Sequence, residues 1–201
     1  MATRDEAVEI PVDGRGIPGT VVAPAAAIPG MLFVQGWGSR QEVYLPRARQ
    51  IAALGCVGLT FEPRGLAWED PRHESVSRED NLRDLVAAYD VLAGRPGVDP
   101  SAIGVVGSSY GAYLAAILTS LRPVRWLTLR VPALYKDDDW AAPKERLDKD
   151  ALAAYRRRSV APEENRALRA CAEFEGDALV VESERDDTVP HAVVVEADGD
   201  A

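Results

Sequence analysis

The sequence predicts an α/β fold: a mostly parallel central sheet with helices on both faces and a helical insertion near residues 132–176. Three observations predict it. From Met31 onward, short apolar runs alternate with helical patterns, the order expected of parallel strands joined by crossover helices. Leu82, Leu85, Val86, Tyr89 and Leu92 form an i, i+3, i+4, i+7 stripe, one apolar face of a helix. Gly107-Ser108-Ser109-Tyr110-Gly111 lies between an apolar run ending at Val106 and a long apolar stretch from Ala112 to Leu121, so this G-x-S-x-G has a strand before it and a helix after it.

Taken in order, Ala7 to Val12 and Thr20 to Ala23 read as edge strands, punctuated by Gly14, Gly16, Pro18 and Gly19. Met31 to Gln35 reads as a buried strand that runs into the loop Gly36-Trp37-Gly38-Ser39. Pro46 in a first turn and Gly55 past the end bracket the next helix. Val57 to Phe61 is a strand, followed by a polar loop with Pro63, Arg64 and Gly65. Ser77 and Asp80 have the spacing of a capping box, and Gly94, Pro96 and Gly97 end the helix they open. Ile103 to Val106 and Trp126 to Val131 are strands on either side of the Ser109 turn and its helix. The stretch from Pro132 to Gly176 is charged and helical, with breaks at Pro143 and Pro162, and it is too long for an ordinary crossover; it reads as an inserted lid. Ala178 to Ser183 is the last readable strand, with a loop from Glu184 to Pro190 at its end.

A chain of 201 residues with 47% hydrophobic side chains can bury one substantial core, and residues 1–201 read as a single domain. The net charge of −9 argues against nucleic-acid or anionic-membrane partners, which need clustered positive charge. Arg156-Arg157-Arg158 reads as a solvated helix face. Cys56 and Cys171 form neither a disulfide framework nor a metal-ligand spacing, and are expected to be buried small hydrophobes. No metal and no cofactor is expected. The N-terminus lacks a signal-peptide pattern and no run is long enough for a membrane span, so a cytoplasmic location is expected.

The chemistry follows from the Ser109 turn. A serine on a tight strand-to-helix turn stands above the sheet edge, with small residues two before and two after to avoid collisions. The helix that follows aims its first amides at the place where an oxyanion would form. In a parallel sheet functional groups gather at the carboxyl ends of strands. Ser109, the Gly36-Trp37-Gly38 loop and Asp186 all fall there. Those are parts of an acyl-transfer site: a hydroxyl nucleophile, backbone N–H groups of Trp37 and Tyr110 for the oxyanion, and an acid to orient a histidine.

On the phrases Phe33-Val34-Gln35-Gly36-Trp37-Gly38, Phe61-Glu62-Pro63-Arg64-Gly65, Asp99 to Gly111, and Asp186-Asp187-Thr188-Val189-Pro190, the chain resembles the α/β-hydrolases. It is most similar to the small bacterial branch related to dienelactone hydrolases and to prolyl-oligopeptidase-like catalytic domains. The resemblance runs from about Ala7 to about Pro190. It implies Ser109 as nucleophile, Asp186 rather than Asp187 as the acid, Trp37 and Tyr110 as oxyanion amides, and a small-molecule acyl or ester substrate.

The same resemblance places a histidine after one more helix and strand. Only 15 residues follow Asp186, whereas an average helix plus an average strand takes roughly 17 residues. The chain therefore reads as truncated, with the final helix, strand and catalytic histidine missing. His73, in a polar loop that reads as solvent-exposed, and His191, next to Pro190, are the two histidines present. Gln35 stands where the family usually has histidine, and Leu66-Ala67 replaces a common His-Gly; both shape loops. The leading expectation is a serine hydrolase acting through an acyl-enzyme on Ser109. The alternative is a catalytically impaired or non-catalytic hydrolase-fold binding protein, and peptide cleavage ranks third. Tyr135, Trp140, Tyr155 and Leu152 of the insertion line a partly apolar acyl pocket on one reading, and anchor the insertion to the core on the other.

Overall fold

The computed structural model describes residues 4–23 and 29–183. Strands β1 (Arg4–Val12) and β2 (Arg15–Ala23) form an antiparallel hairpin, turned at Asp13 and Gly14, both with positive φ. After β3 (Gly30–Val34), helix α1 (Leu45–Ala53) starts on Pro46 and leads to β4 (Val57–Phe61). Helix α2 (Arg78–Ala93), strand β5 (Ile103–Ser108), helix α3 (Tyr110–Leu118) and strand β6 (Trp126–Arg130) follow. Helices α4 (Lys149–Tyr155) and α5 (Arg166–Ala172) precede β7 (Asp177–Val181).

The strand order is β1-β2-β4-β3-β5-β6-β7, with β2 antiparallel to β1 and β4 and the other neighbours parallel. The expected mostly parallel sheet is present. The hairpin departs from expectation. Its strands are longer than read, and β2 lies inside the sheet against β4 rather than at an edge. The glycines and Pro18 did not break β2, because the Pro18 carbonyl still serves the neighbouring chain by accepting the Glu62 N–H at 2.8 Å.

Alternation along β3 divides the core. Phe33 joins Tyr44, Ala48 and Ala52 on the α1 face, while Leu32 and Val34 join Leu85, Ala88 and Ala115 on the α2/α3 face. Helices thus cover both faces. The capping box at the start of α2 is present: the Asp80 N–H donates to Ser77 Oγ at 3.0 Å, and the Ser77 N–H donates to Asp80 Oδ2 at 3.0 Å. Leu85, Tyr89 and Leu92 of the stripe are buried, with Leu82 and Val86 half-buried at its margin.

Residues 132–176 fold as α4, α5 and short 3₁₀ turns at Lys144–Arg146 and Pro162–Glu164. The segment is built into the main core: Leu134, Tyr135, Tyr155, Val160, Ala167 and Leu168 are buried with the α3 side chains. Arg78, 1% exposed at the start of α2, anchors it by donating to the backbone carbonyls of Lys136 and Asp138. Arg156 is not a solvated charge as read; it donates to the Leu134 carbonyl at 2.8 Å and lies 4.9 Å from the Tyr135 ring centroid. Cys56 and Cys171 are half-buried rather than buried, and burial pushes the Cys171 thiol up to about 11.

Candidate active site

Ser109 links β5 to α3 with φ 52° and ψ −114°, a region that non-glycine residues enter only when their surroundings force it. Those surroundings are visible. The Ser109 N–H donates to the Arg130 carbonyl at 2.8 Å, and the Ser109 carbonyl accepts from the N–H groups of Ala112 (3.0 Å), Tyr113 (3.2 Å) and Ala133 (3.2 Å). The flanking glycines make the turn possible. A Cβ on Gly107 would stand 2.5 Å from the Ala112 Cα, and one on Gly111 would stand 2.5 Å from the Gln35 carbonyl oxygen. Ser109 itself is half-exposed between buried Ser108 and Tyr110.

The loop after β3 lies against this turn. A Cβ on Gly36 would be 3.4 Å from the Ser108 carbonyl oxygen and 3.5 Å from the Ser109 Cβ. The neighbouring loop amides are engaged: Gly36 donates to the Tyr44 hydroxyl (3.3 Å), Gly38 to the Leu66 carbonyl (3.0 Å) and Ser39 to the Gly36 carbonyl (3.1 Å). The Trp37 N–H makes no such bond to a described residue, and the Tyr110 N–H, first in α3, has no acceptor within the helix. Among the described residues, two amides without an acceptor therefore stand on the two segments that meet at Ser109.

Gln35 is 1% exposed and donates to Glu62 Oε2 at 3.1 Å and to the Ser39 carbonyl at 3.4 Å, so it shapes this loop as expected. Burial pushes the Glu62 carboxyl up, against the bonds it accepts from Gln41 and Gln35. Behind Ser109, the Tyr110 hydroxyl donates to Asn81 Oδ1 at 3.0 Å and Asn81 Nδ2 donates to the Arg64 carbonyl at 2.8 Å. Arg64 in turn pairs with fully buried Asp84, donating from its backbone N–H and its Nε at 2.7 Å each.

Trp37 gathers side chains that no local pattern in the sequence singled out. Its Nε1–H donates to Glu145 Oε1 at 2.8 Å, its ring meets Tyr110 edge-on at 5.3 Å, and Lys144 Nζ lies 3.9 Å from its centroid. Burial against these rings pushes the Lys144 ammonium down to about 8. His73 is a second correction: it is 8% exposed, not a solvent-exposed loop residue. Its ring is tilted between Trp37 (4.6 Å) and Trp68 (4.8 Å), Nδ1–H donates to the Gly65 carbonyl at 2.9 Å, and Nε2 lies 3.6 Å from Glu145 Oε1. Neither ring nitrogen is bonded to Ser109.

Of the four predicted site residues, Ser109, Trp37 and Tyr110 come together; Asp186 lies outside the described residues, as does His191. Tyr135 and Tyr155 are buried core anchors of the insertion, while Trp140 and Leu152 are half-buried. Among the described residues no cluster of His, Cys, Asp and Glu has the makings of a metal site, and no helix is long and apolar enough to cross a membrane.

Comparison with known proteins follows the same lines. The family model of the prolyl oligopeptidase family matches residues 48–196. Thiohydrolase aneE of Aspergillus aculeatus is 30% identical over 110 residues, covering 53% of this chain and 34% of that protein, so the chain spans about a third of this curated relative. Among solved structures, a dienelactone hydrolase from Klebsiella pneumoniae superposes with a TM-score of 0.73 at 15% identity, over 99% of this chain and 80% of that one. The α/β hydrolase GrgF from Penicillium gives 0.72 at 15% identity, over 99% and 86%. EstE1, a carboxylesterase cloned from a metagenomic library, gives 0.62 at 20% identity, over 96% and 82%. At these identities the structural likeness is one of fold.

Proposed function

The chain belongs to the prolyl oligopeptidase family, and from that premise we propose that it is a serine hydrolase of the α/β-hydrolase fold, cleaving an ester or related acyl bond through an acyl-Ser109 intermediate. The observation that carries this reading is the half-exposed Ser109 at φ 52°, with the Gly36-Trp37 loop so near that a Cβ on Gly36 would stand 3.5 Å from the Ser109 Cβ. A backbone held in this sparsely populated region costs about 1–3 kcal/mol, persists only where the surrounding structure over-determines it, and is found most often at active sites.

In this reading Ser109 Oγ attacks the acyl carbon and its proton passes to a base. The carbonyl oxygen becomes an oxyanion that accepts from the Trp37 and Tyr110 N–H groups. Collapse expels the alcohol or thiol with that proton, and water releases the acid by the same path in reverse. Asp186 is the proposed acid that orients the base. No metal or organic cofactor enters any step. The name of the Aspergillus relative adds thioesters to the candidate bonds, and the family name adds peptide bonds to the test panel.

The test is labelling by a fluorophosphonate probe, with Ser109→Ala as control, followed by aryl-ester, thioester and prolyl-amide substrates. Labelling of the wild type that disappears in Ser109→Ala is expected. Labelling that survives in Ser109→Ala removes Ser109 from the role. A wild type that is not labelled at all favours a hydrolase-fold protein that binds rather than cleaves.

A further inference from the structure

We infer that Glu145 is a positioning residue for this site: its carboxylate clamps the Trp37 indole and thereby fixes the Trp37 backbone N–H beside Ser109. The inference rests on the serine-hydrolase reading for its purpose, but its geometry is independent of it.

Trp37 stands between Gly36 and Gly38, the latter at φ +77°. A loop with glycine on both sides has little conformational restraint of its own. Hydrogen bonds hold the Gly36 and Gly38 N–H groups on either side, whereas at Trp37 itself the restraint comes from the side chain. One edge of the indole is bonded through Nε1–H to Glu145 Oε1 at 2.8 Å, and its other contacts are the His73 ring at 4.6 Å, Lys144 Nζ at 3.9 Å and the Tyr110 ring at 5.3 Å. The same Oε1 is the point on which His73 Nε2 (3.6 Å) and Lys144 Nζ (3.9 Å) converge. The Nε2 atom is buried and has no hydrogen bond of its own, so Glu145 is the polar group it faces.

Glu145 is itself held. It lies in the 3₁₀ turn Lys144–Arg146, whose first N–H donates to the Val76 carbonyl at 2.9 Å, and Pro143 pairs with Ser77 in an isolated bridge. The insertion thus reaches back across 108 residues of sequence to grip the large side chain of the loop beside Ser109. An indole held at its Nε1 and its faces has both of its torsions fixed, which adds a restraint on the backbone between the two glycines.

The experiment uses the full 201-residue chain, ¹⁵N-labelled, with the Trp37 indole signal assigned through Trp37→Phe. Glu145→Ala is expected to move the backbone amide signals of Trp37 and Tyr110 and to speed exchange of the Trp37 indole N–H by about tenfold. It is also expected to slow fluorophosphonate labelling of Ser109 on the order of 10²-fold, the effect of displacing a catalytic group by about an ångström. Glu145→Gln keeps an acceptor oxygen and is expected to restore most of both readouts. Wild-type amide positions and a wild-type labelling rate in Glu145→Ala overturn the clamp. If the wild type is not labelled, the hydrolase reading falls while the amide and indole signals still decide the clamp. Should Glu145→Ala fail to fold, Trp37→Phe removes the donor and keeps the ring; an unmoved Tyr110 amide and an unchanged labelling rate in that variant overturn the clamp equally.

Discussion

Gly111, in the first turn of α3, packs so closely on the end of β3 that a Cβ built on it would stand 2.5 Å from the carbonyl oxygen of Gln35 and overlap that of Val34. The helix that carries the Ser109 turn therefore touches, backbone to backbone, the strand that launches the Trp37 loop. The three glycines near Ser109 do different work. Gly111 and its counterpart Gly107 close the helix on the sheet, whereas Gly36 keeps the space before Ser109 empty.

Gly111→Ala is accordingly expected to destabilise the protein by about 3 kcal/mol or more, because backbone cannot yield as a side chain does. Gly36→Ala meets its nearest atoms at 3.4 and 3.5 Å, ordinary contact distances, and is expected to cost less than about 1 kcal/mol. Its methyl group faces Ser109, so fluorophosphonate labelling is expected to fall by about tenfold. Thermal unfolding and labelling rate, measured on both variants, separate the two roles; equal stability losses would show that the spacing difference has no consequence.

Asp84 is fully buried, accepts from the Arg64 backbone N–H and Nε at 2.7 Å each, and is ion-paired with Arg64 Nη2 at 2.6 Å. Removing one partner of such a pair leaves an uncompensated charge, so Asp84→Ala is expected to cost about 3–5 kcal/mol in urea unfolding. Through Arg64 and Asn81 the same loss reaches the Tyr110 hydroxyl. A loss below about 1 kcal/mol would mean that the pair contributes little.

Lys144 gives a pH test with a definite sign. Desolvation lowers its folded-state value to about 8, whereas an unfolded lysine titrates near 10.4, roughly. Between those values the unfolded chain binds more protons, so this residue makes stability rise with pH. Below about pH 8 the wild type carries the full cost of burying the charge, about 3 kcal/mol. Lys144→Met has no such cost. Its advantage in urea unfolding is expected to be greatest near pH 7 and to shrink steadily toward pH 10. An advantage constant across that range would show that Lys144 is not desolvated.

What could be read before the structure was local. The Ser77–Asp80 box, the α2 stripe and the G-x-S-x-G turn each depend on residues a few positions apart, and each is present. The hairpin is longer than its sequence suggests because Gly16, Pro18 and Gly19 look like punctuation, although sheet neighbours satisfy the strand that contains them. His73 reads as exposed because its neighbours Arg72 and Glu74 are exposed; a tight turn sends only His73 inward, against Trp37 and Trp68. The Trp37–Glu145 bond joins positions 108 apart, and nothing in either neighbourhood encodes it. Tyr135 and Tyr155, equally consistent with pocket and core, went to the core once Arg78 fixed the insertion.

That anchor has a consequence for how the sequence can drift. Arg78 holds the insertion by the carbonyls of Lys136 and Asp138, groups that every amino acid supplies. The side chains at those positions are free of the anchoring duty. Descendants of this chain can exchange the charges around the cleft of about 610 Å³ that Lys136 and Asp138 border with Arg158 and Glu164, and the Arg78 bonds to the segment will be inherited unchanged.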